Sequence, residues 1–287
     1  MNVQANATRF IPAMTVTEGA GVIVNRTIGT PALRNYDPFM LLDNFSNDNP
    51  DDYIAGFPSH PHRGFSTFTY MIDGHMEHKD SMGNTGNLGP GGAQFMKAAS
   101  GVIHSEIPKQ ENGLMRGFQL WINLPAQNKM DRPEYQEYDS ADFPVVETSD
   151  YNVKMLIGHF NSKNSPIVDD ITNVSYFDVR VKARKRFQHE LSAENNSFLY
   201  VFEGDGHLNG RNVPLNTLIA LGADDNTPDF IAGEQGARFV VISGKPINEP
   251  IAQYGPFVMN TREEIDQAMQ DFQSNNFVRD RAWIRRS

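Results

Sequence analysis

The chain has 287 residues, 25 basic against 35 acidic side chains for a net charge of −10, and no cysteine. The absence of Cys excludes disulfide scaffolds, thiolate nucleophiles, iron–sulfur clusters and sulfur-ligated zinc, so any metal must be held by nitrogen and oxygen. The acidic balance argues against general nucleic-acid binding, and no stretch approaches the roughly 18 apolar residues of a membrane helix or the apolar core of a signal peptide, so a cytoplasmic protein with no membrane partner is expected.

At roughly 150 residues per domain the length suggests two domains. Short β-branched and aromatic runs bounded by Gly, Pro, Asn and Asp recur at 21–26, 65–72, 117–123, 153–157, 174–181, 198–202 and 238–243, which predicts a mostly β fold. Residues 68–74 match 198–204 in character, and 118–125 match 239–246 at a similar offset, so the two halves repeat one unit in the same order. The acidic, Pro-containing stretch 128–150 has the composition of a linker. We place domains at 1–135 and 136–287, the second ending in a helix and a basic tail.

That helix is announced by Thr261 with Glu264 three residues on, followed by Ile265, Ala268, Met269 and Phe272 on one face. It is expected to cover a sheet edge or a barrel mouth. Arg180, Lys182, Arg184, Lys185 and Arg186 form a basic run, read as the solvated face of a half-buried strand, with a docking patch for an acidic partner as the alternative. Arg279, Arg281, Arg285 and Arg286 form a similar tail.

Chemistry concentrates in two short segments. His60 and His62 lie in Gly56-Phe-Pro-Ser-His-Pro-His-Arg-Gly64, and His104 and Glu106 in Gly101-Val-Ile-His-Ser-Glu106. In a strand, residues i and i+2 point to the same side, so each pair presents two donor groups on one face. Antiparallel neighbours would bring three imidazoles and a carboxylate to one point, a set that suits a borderline divalent metal and leaves coordination positions open for water, O₂ or a chelating substrate. His75 and His78 follow the turn signal Asp73-Gly74 and read as a solvated hairpin, while His159 and His207 read as ordinary surface histidines. The repeat offsets map the ligand positions onto Glu190, Ser192, Asp225 and Thr227, so the second domain is expected to carry no metal.

The stretch Phe57-Pro-Ser-His-Pro-His-Arg-Gly-Phe65, with Thr69-Tyr70, His78-Lys-Asp80 and Gly101-Val-Ile-His-Ser-Glu106, resembles the signature of the pirin family of the cupin superfamily. Tyr36-Asp-Pro-Phe39 and Gly255-Pro-Phe-Val-Met-Asn-Thr261 extend the similarity over nearly the whole chain. The resemblance implies two tandem cupin barrels of jelly-roll type (double-stranded β-helix) and a single iron(II) held by His60, His62, His104 and Glu106, with manganese, nickel, copper or zinc as alternatives. It further implies a quercetin 2,3-dioxygenase-like oxidoreductase that uses O₂ on a chelating enolate such as a flavonol; in such a reaction Glu106 or bound water is the candidate base. The alternative is an iron- and redox-responsive regulator that binds a transcriptional or metabolic partner, through the second barrel or the basic strand, without turnover. No other cofactor is expected. Pirins usually have a Glu directly after the Gly-Phe pair where this chain has Ser66; were the strand regular from His62 onward, Ser66 would stand behind the ligands and its lack of a carboxylate would weaken base catalysis.

Overall fold

The structure, a computed structural model, describes residues 7–109, 113–222 and 225–285. Apart from Gly21 and Val174 at their starts, the runs expected as strands lie in strands: Val22–Arg26, Phe65–Asp73, Met115–Asn123, Tyr151–Ile157, Ser175–Val181, Asn196–Leu208 and Asp229–Gly244. The described residues form two cupin domains built of strands, with one α-helix among them. Phe65–Asp73 is buried on both faces, which is why it reads as a nearly continuous run of aromatic and β-branched residues rather than an alternating one.

The internal repeat is a repeat of strand pairing. Phe65–Asp73 runs antiparallel to Met115–Asn123 with Phe68 opposite Leu120, and Asn196–Leu208 runs antiparallel to Asp229–Gly244 with Phe198 opposite Ile242. The partner is one residue beyond Val241, the position that the sequence offset selects from Leu120.

Two compact units result, and neither is a single stretch of chain. One contains Phe143–Pro246 with Thr30–Pro38 and the described part of Met1–Met14; the other contains Phe39–Asp142 with Thr15–Gly29 and Ile247–Ser287. The expected limits of 1–135 and 136–287 treat each domain as continuous. Instead the early strand Arg9–Pro12 hydrogen-bonds to Thr217–Ala220, and the helix packs with residues of the first barrel. Such long-range pairing leaves no trace in local periodicity.

In the first barrel a four-stranded sheet runs Phe57–His62, Val102–Pro108, Met76–Asp80, Thr85–Leu88. An eight-stranded sheet has Phe39–Asn47, Met115–Asn123, Phe65–Asp73 and Ala93–Lys97 at its centre. The supposed linker contributes to it: Glu134–Tyr138 pairs with Ala93–Lys97, Tyr135 pointing inward fully buried and Glu134 outward. Alternation of this kind is a half-buried strand; Glu134 faces outward and Glu137 is buried, so an acidic composition does not by itself mark a linker.

The helix Arg262–Gln273 has the expected capping box, with the Thr261 hydroxyl accepting from the Glu264 N–H and the Glu264 carboxylate accepting from the Thr261 N–H. Ile265 and Ala268 are buried as expected; Phe272 is 40% exposed, with one side of its ring toward Phe257 and Phe277, and Asp271 is buried. The basic run in the second barrel is neutralised: Arg184 pairs with Glu234, Arg186 with Asp229 and Lys185 with Asp150, while Lys182 donates to the Ser149 carbonyl. Arg286 lies outside the described residues. No helix among the described residues is long and apolar enough to cross a membrane.

Candidate metal centre

The first ligand strand, Phe57–His62, pairs with Val102–Pro108 so that His60 stands opposite His104 and His62 opposite Val102. A bulge between His104 and Glu106 then shifts the register. On its other edge Val102–Pro108 pairs with Met76–Asp80, placing His104 opposite Asp80 and Glu106 opposite His78. Directly opposed residues share a face. His60, His62, His104, Glu106 and His78 therefore all face the same side of this sheet.

Three imidazoles converge there. The ring centroids of His60 and His62 lie 4.5 and 4.8 Å from that of His104. The donor atoms of the three histidines lie within 4.8 Å of one another, the one such group of three or more among the described residues. His62 and His104 are each 2% exposed, and His60 is half-buried. Across from them Phe65 and Trp121, stacked with ring centroids 4.4 Å apart, approach His62 at 5.1 and 5.2 Å.

The donor chemistry fits a cation. His60 Nδ1 lies 2.8 Å from the Pro58 carbonyl, which as an acceptor requires the N–H on Nδ1 and leaves the lone pair on Nε2. That Nε2 stands 2.9 Å from His62 Nε2, a separation that needs a proton or a cation between two nitrogens. His104 Nδ1 lies 3.2 Å from His78 Nδ1, which turns His104 Nε2 away, and that atom is buried without a hydrogen-bond partner. An orphaned buried nitrogen beside two converging ones is costly unless something is bound.

Glu106, 4% exposed, is not within the close group of three. It accepts hydrogen bonds from the Thr69 hydroxyl at 3.1 Å and from Gln119 Nε2 at 3.2 Å to each oxygen. Burial pushes its carboxyl up from the ordinary range. Burial, reinforced by the neighbouring histidines, holds His62 and His104 well below the ordinary histidine range. A divalent cation would reinforce the neutral form of the imidazoles and reverse the preference of Glu106, favouring its carboxylate anion.

Two expectations need correction. His78 is not in a solvated hairpin: it is 1% exposed, lies 5.4 Å from the Tyr135 ring, and burial pushes its imidazole down to about 4. The turn at Asp73-Gly74 exists, but the strand after it is the third of the ligand sheet. Ser66 does not share the ligand face either. The strand is interrupted at Gly64, with φ +89°, and restarts at Phe65, so parity changes: Phe65 and Thr69 face His62 and Glu106, and Ser66 points to the opposite side. Its hydroxyl is buried there without a partner. Thr69, Gln119 and Trp121 at the site were not anticipated as such, although the alternation that places Gln119 and Trp121 on one face of Met115–Asn123 is legible.

In the second barrel the aromatic rings of Phe160, Phe177 and Phe187 surround His189, at 4.5, 5.8 and 6.4 Å between centroids. Glu190 and Ser192 lie in irregular chain after the strand Arg186–Gln188.

Comparison with known proteins agrees with this architecture. The family described as Pirin matches residues 21–122, and that described as Pirin C-terminal cupin domain matches 176–278. A Pseudomonas aeruginosa protein, provisionally named a quercetin 2,3-dioxygenase, is 45% identical over 264 residues, covering 89% of this chain and 92% of its own. A pirin-like protein of Caulobacter vibrioides is 41% identical, covering 94% of this chain and 98% of its own. A crystal structure of quercetin 2,3-dioxygenase from Acinetobacter baumannii superposes with a TM-score of 0.86 at 28% identity, covering 94% of this chain and 96% of that one. With two family matches in order along the chain and relatives of this identity over nearly its whole length, the chain belongs to the pirin family.

Proposed function

We propose that the first barrel is a metal-dependent dioxygenase site acting on a chelating enolate of the flavonol kind, with iron(II) as the metal. The observation that carries this is the convergence of His60, His62 and His104 with open nitrogens, next to a buried carboxyl and an aromatic wall. His60, His62, His104 and Glu106 would hold the metal, which when bound supplies a Lewis acid for the enolate and a site for O₂.

The residues around it have separable tasks. Glu106, ionised beside the cation, takes the proton of the substrate hydroxyl onto a carboxylate oxygen. Gln119 and Thr69 hold that carboxylate in one orientation. Trp121, half-buried over Phe65, offers a flat apolar face to a planar ring system and keeps water from that side of His62. The half-exposure of His60 and Gln119 marks the side by which a substrate enters.

Anaerobic loading with iron(II), followed by quercetin and O₂, is the test. Stoichiometric O₂ uptake with loss of the flavonol absorbance is expected. No uptake with iron, manganese, nickel or copper, in protein shown by elemental analysis to contain the metal, would contradict the dioxygenase assignment.

A further inference from the structure

The turn that follows His62 is held from the far end of the chain. Arg63 and Gly64 interrupt the strand; Gly64 has φ +89°, and a Cβ on it would lie 1.9 Å from the Val258 carbonyl oxygen. Next to His62 in sequence, Arg63 projects away from it. The residue is 1% exposed, and its guanidinium lies over the Phe277 ring at 4.3 Å. Its donors go to three places: Nε to the Ser100 carbonyl at 2.7 Å, Nη1 to the Asp271 carboxylate at 2.7 Å, and Nη2 to the Phe277 carbonyl at 3.0 Å.

Ser100 lies two residues before Val102, where the strand carrying His104 and Glu106 begins. One side chain thus ties the turn after His62 to the turn before His104, and Asp271 anchors it to the helix. Asp271 also accepts from Gln267 at 2.8 Å and Arg279 at 2.6 Å, so its own position is fixed. The backbone repeats the pattern. Arg63 N–H donates to the Pro256 carbonyl and Val258 N–H to the Arg63 carbonyl, at 3.2 and 3.0 Å. The buried Lys129 ammonium bridges the Gly64 and Val258 carbonyls at 2.8 and 2.9 Å, with Asn123 as third acceptor at 2.6 Å.

We propose that Asp271, acting through Arg63, is a positioning residue of the metal centre, so that the C-terminal segment 256–277 sets the spacing of His62 and His104. Filling this volume needs no charge, and a buried ion pair is a poor source of stability compared with an apolar replacement. What the guanidinium supplies is direction: a rigid planar fork fixes three acceptors, one in the turn before His104 and two in the C-terminal segment, at set angles. Sub-ångström tolerance between donor atoms is the property that metal coordination demands, and outer partners of ligands change metal affinity by about 10- to 100-fold when altered.

Because this presupposes the metal proposed above, the test reads metal binding and geometry rather than turnover. The variants are Asp271→Asn, Asp271→Glu, Arg63→Lys and the milder Phe277→Leu, with Glu263→Gln on the exposed side of the helix as control. Each full-length protein is titrated with cobalt(II) against a chromogenic chelator, its cobalt absorption bands are recorded, and the metal-free form is melted. Folded Asp271→Asn and Arg63→Lys should bind cobalt about 10-fold or more weaker with shifted bands, Asp271→Glu should recover toward wild type, and Phe277→Leu should shift the bands least; the control should match wild type. Wild-type affinity within twofold and unshifted bands in any folded Asp271→Asn or Arg63→Lys protein would overturn the proposal. So would weaker binding that comes with unshifted bands and a lowered metal-free melting temperature, since that is loss of fold alone. Wild-type protein that binds no cobalt overturns the metal assignment itself, an outcome distinguishable from the others.

Discussion

The two barrels repeat one pair of central strands, yet their interiors differ in kind: the first collects three histidines and a carboxyl, the second closes aromatic rings around a single histidine. The central strands are alike because both faces must be buried, and Phe and Tyr at matched positions do this whatever the barrel contains. The difference lies in what precedes them. In the first barrel Phe57–His62 forms a strand that delivers two imidazoles to one face; in the second the corresponding chain around Glu190 and Ser192 is irregular. A barrel thus keeps its pairing while its chemistry is decided by parity at a few edge positions.

The largest expected effect that sharpens this contrast is His62→Ala. Loss of one of three converging imidazoles should lower metal content from about one per chain to near zero, measured by elemental analysis after dialysis, with far-UV circular dichroism unchanged. In the second barrel, Phe177→Ala removes a buried ring packed on Phe160 and His189 and should cost about 3–5 kcal/mol in denaturant unfolding, while folded protein keeps its full metal content. If metal content fell with it, the division of labour between the barrels would be wrong.

The metal-free first barrel should also be acid-sensitive. His78 titrates near 6.5 in the unfolded chain and at about 4 in the fold, so the unfolded state binds more protons between those values. The stability contributed by keeping it neutral is present above pH 6.5 and is lost as pH falls through about 4. At about 1.4 kcal/mol per unit this comes to about 3.5 kcal/mol for a residue that is almost fully buried. Urea unfolding of metal-free protein at pH 7 and pH 4.5 measures it, and His78→Gln should flatten the profile.

Gln119→Ala is the smallest change. Removing its bonds to Glu106 costs about 1 kcal/mol of stability, and releases the carboxylate, so metal affinity should fall by a few-fold with kcat falling more than KM changes.

Much of this was legible because it is local. Spacing of i and i+2 identified His60 with His62 and His104 with Glu106, and Thr261 with Glu264 marked the helix start. What local pattern could not show was pairing and parity. His78 follows a turn signal and is polar, but burial comes from Glu106 standing opposite it 28 residues later. Ser66 was placed by assuming an unbroken strand, whereas Gly64 resets the alternation. Asp271 falls among the apolar positions of the helix and reads as surface, because its partner Arg63 lies 208 residues earlier. The strand Arg9–Pro12 is far in sequence from Thr217–Ala220, and no periodicity encodes that contact.

Anomalous diffraction from crystals of the protein loaded with metal locates the ion. One strong peak is expected in the first barrel, about 2.1 Å from a ring nitrogen of each of His60, His62 and His104, and no comparable peak near His189. A peak elsewhere, or one touching fewer than two of those three histidines, would contradict the metal site.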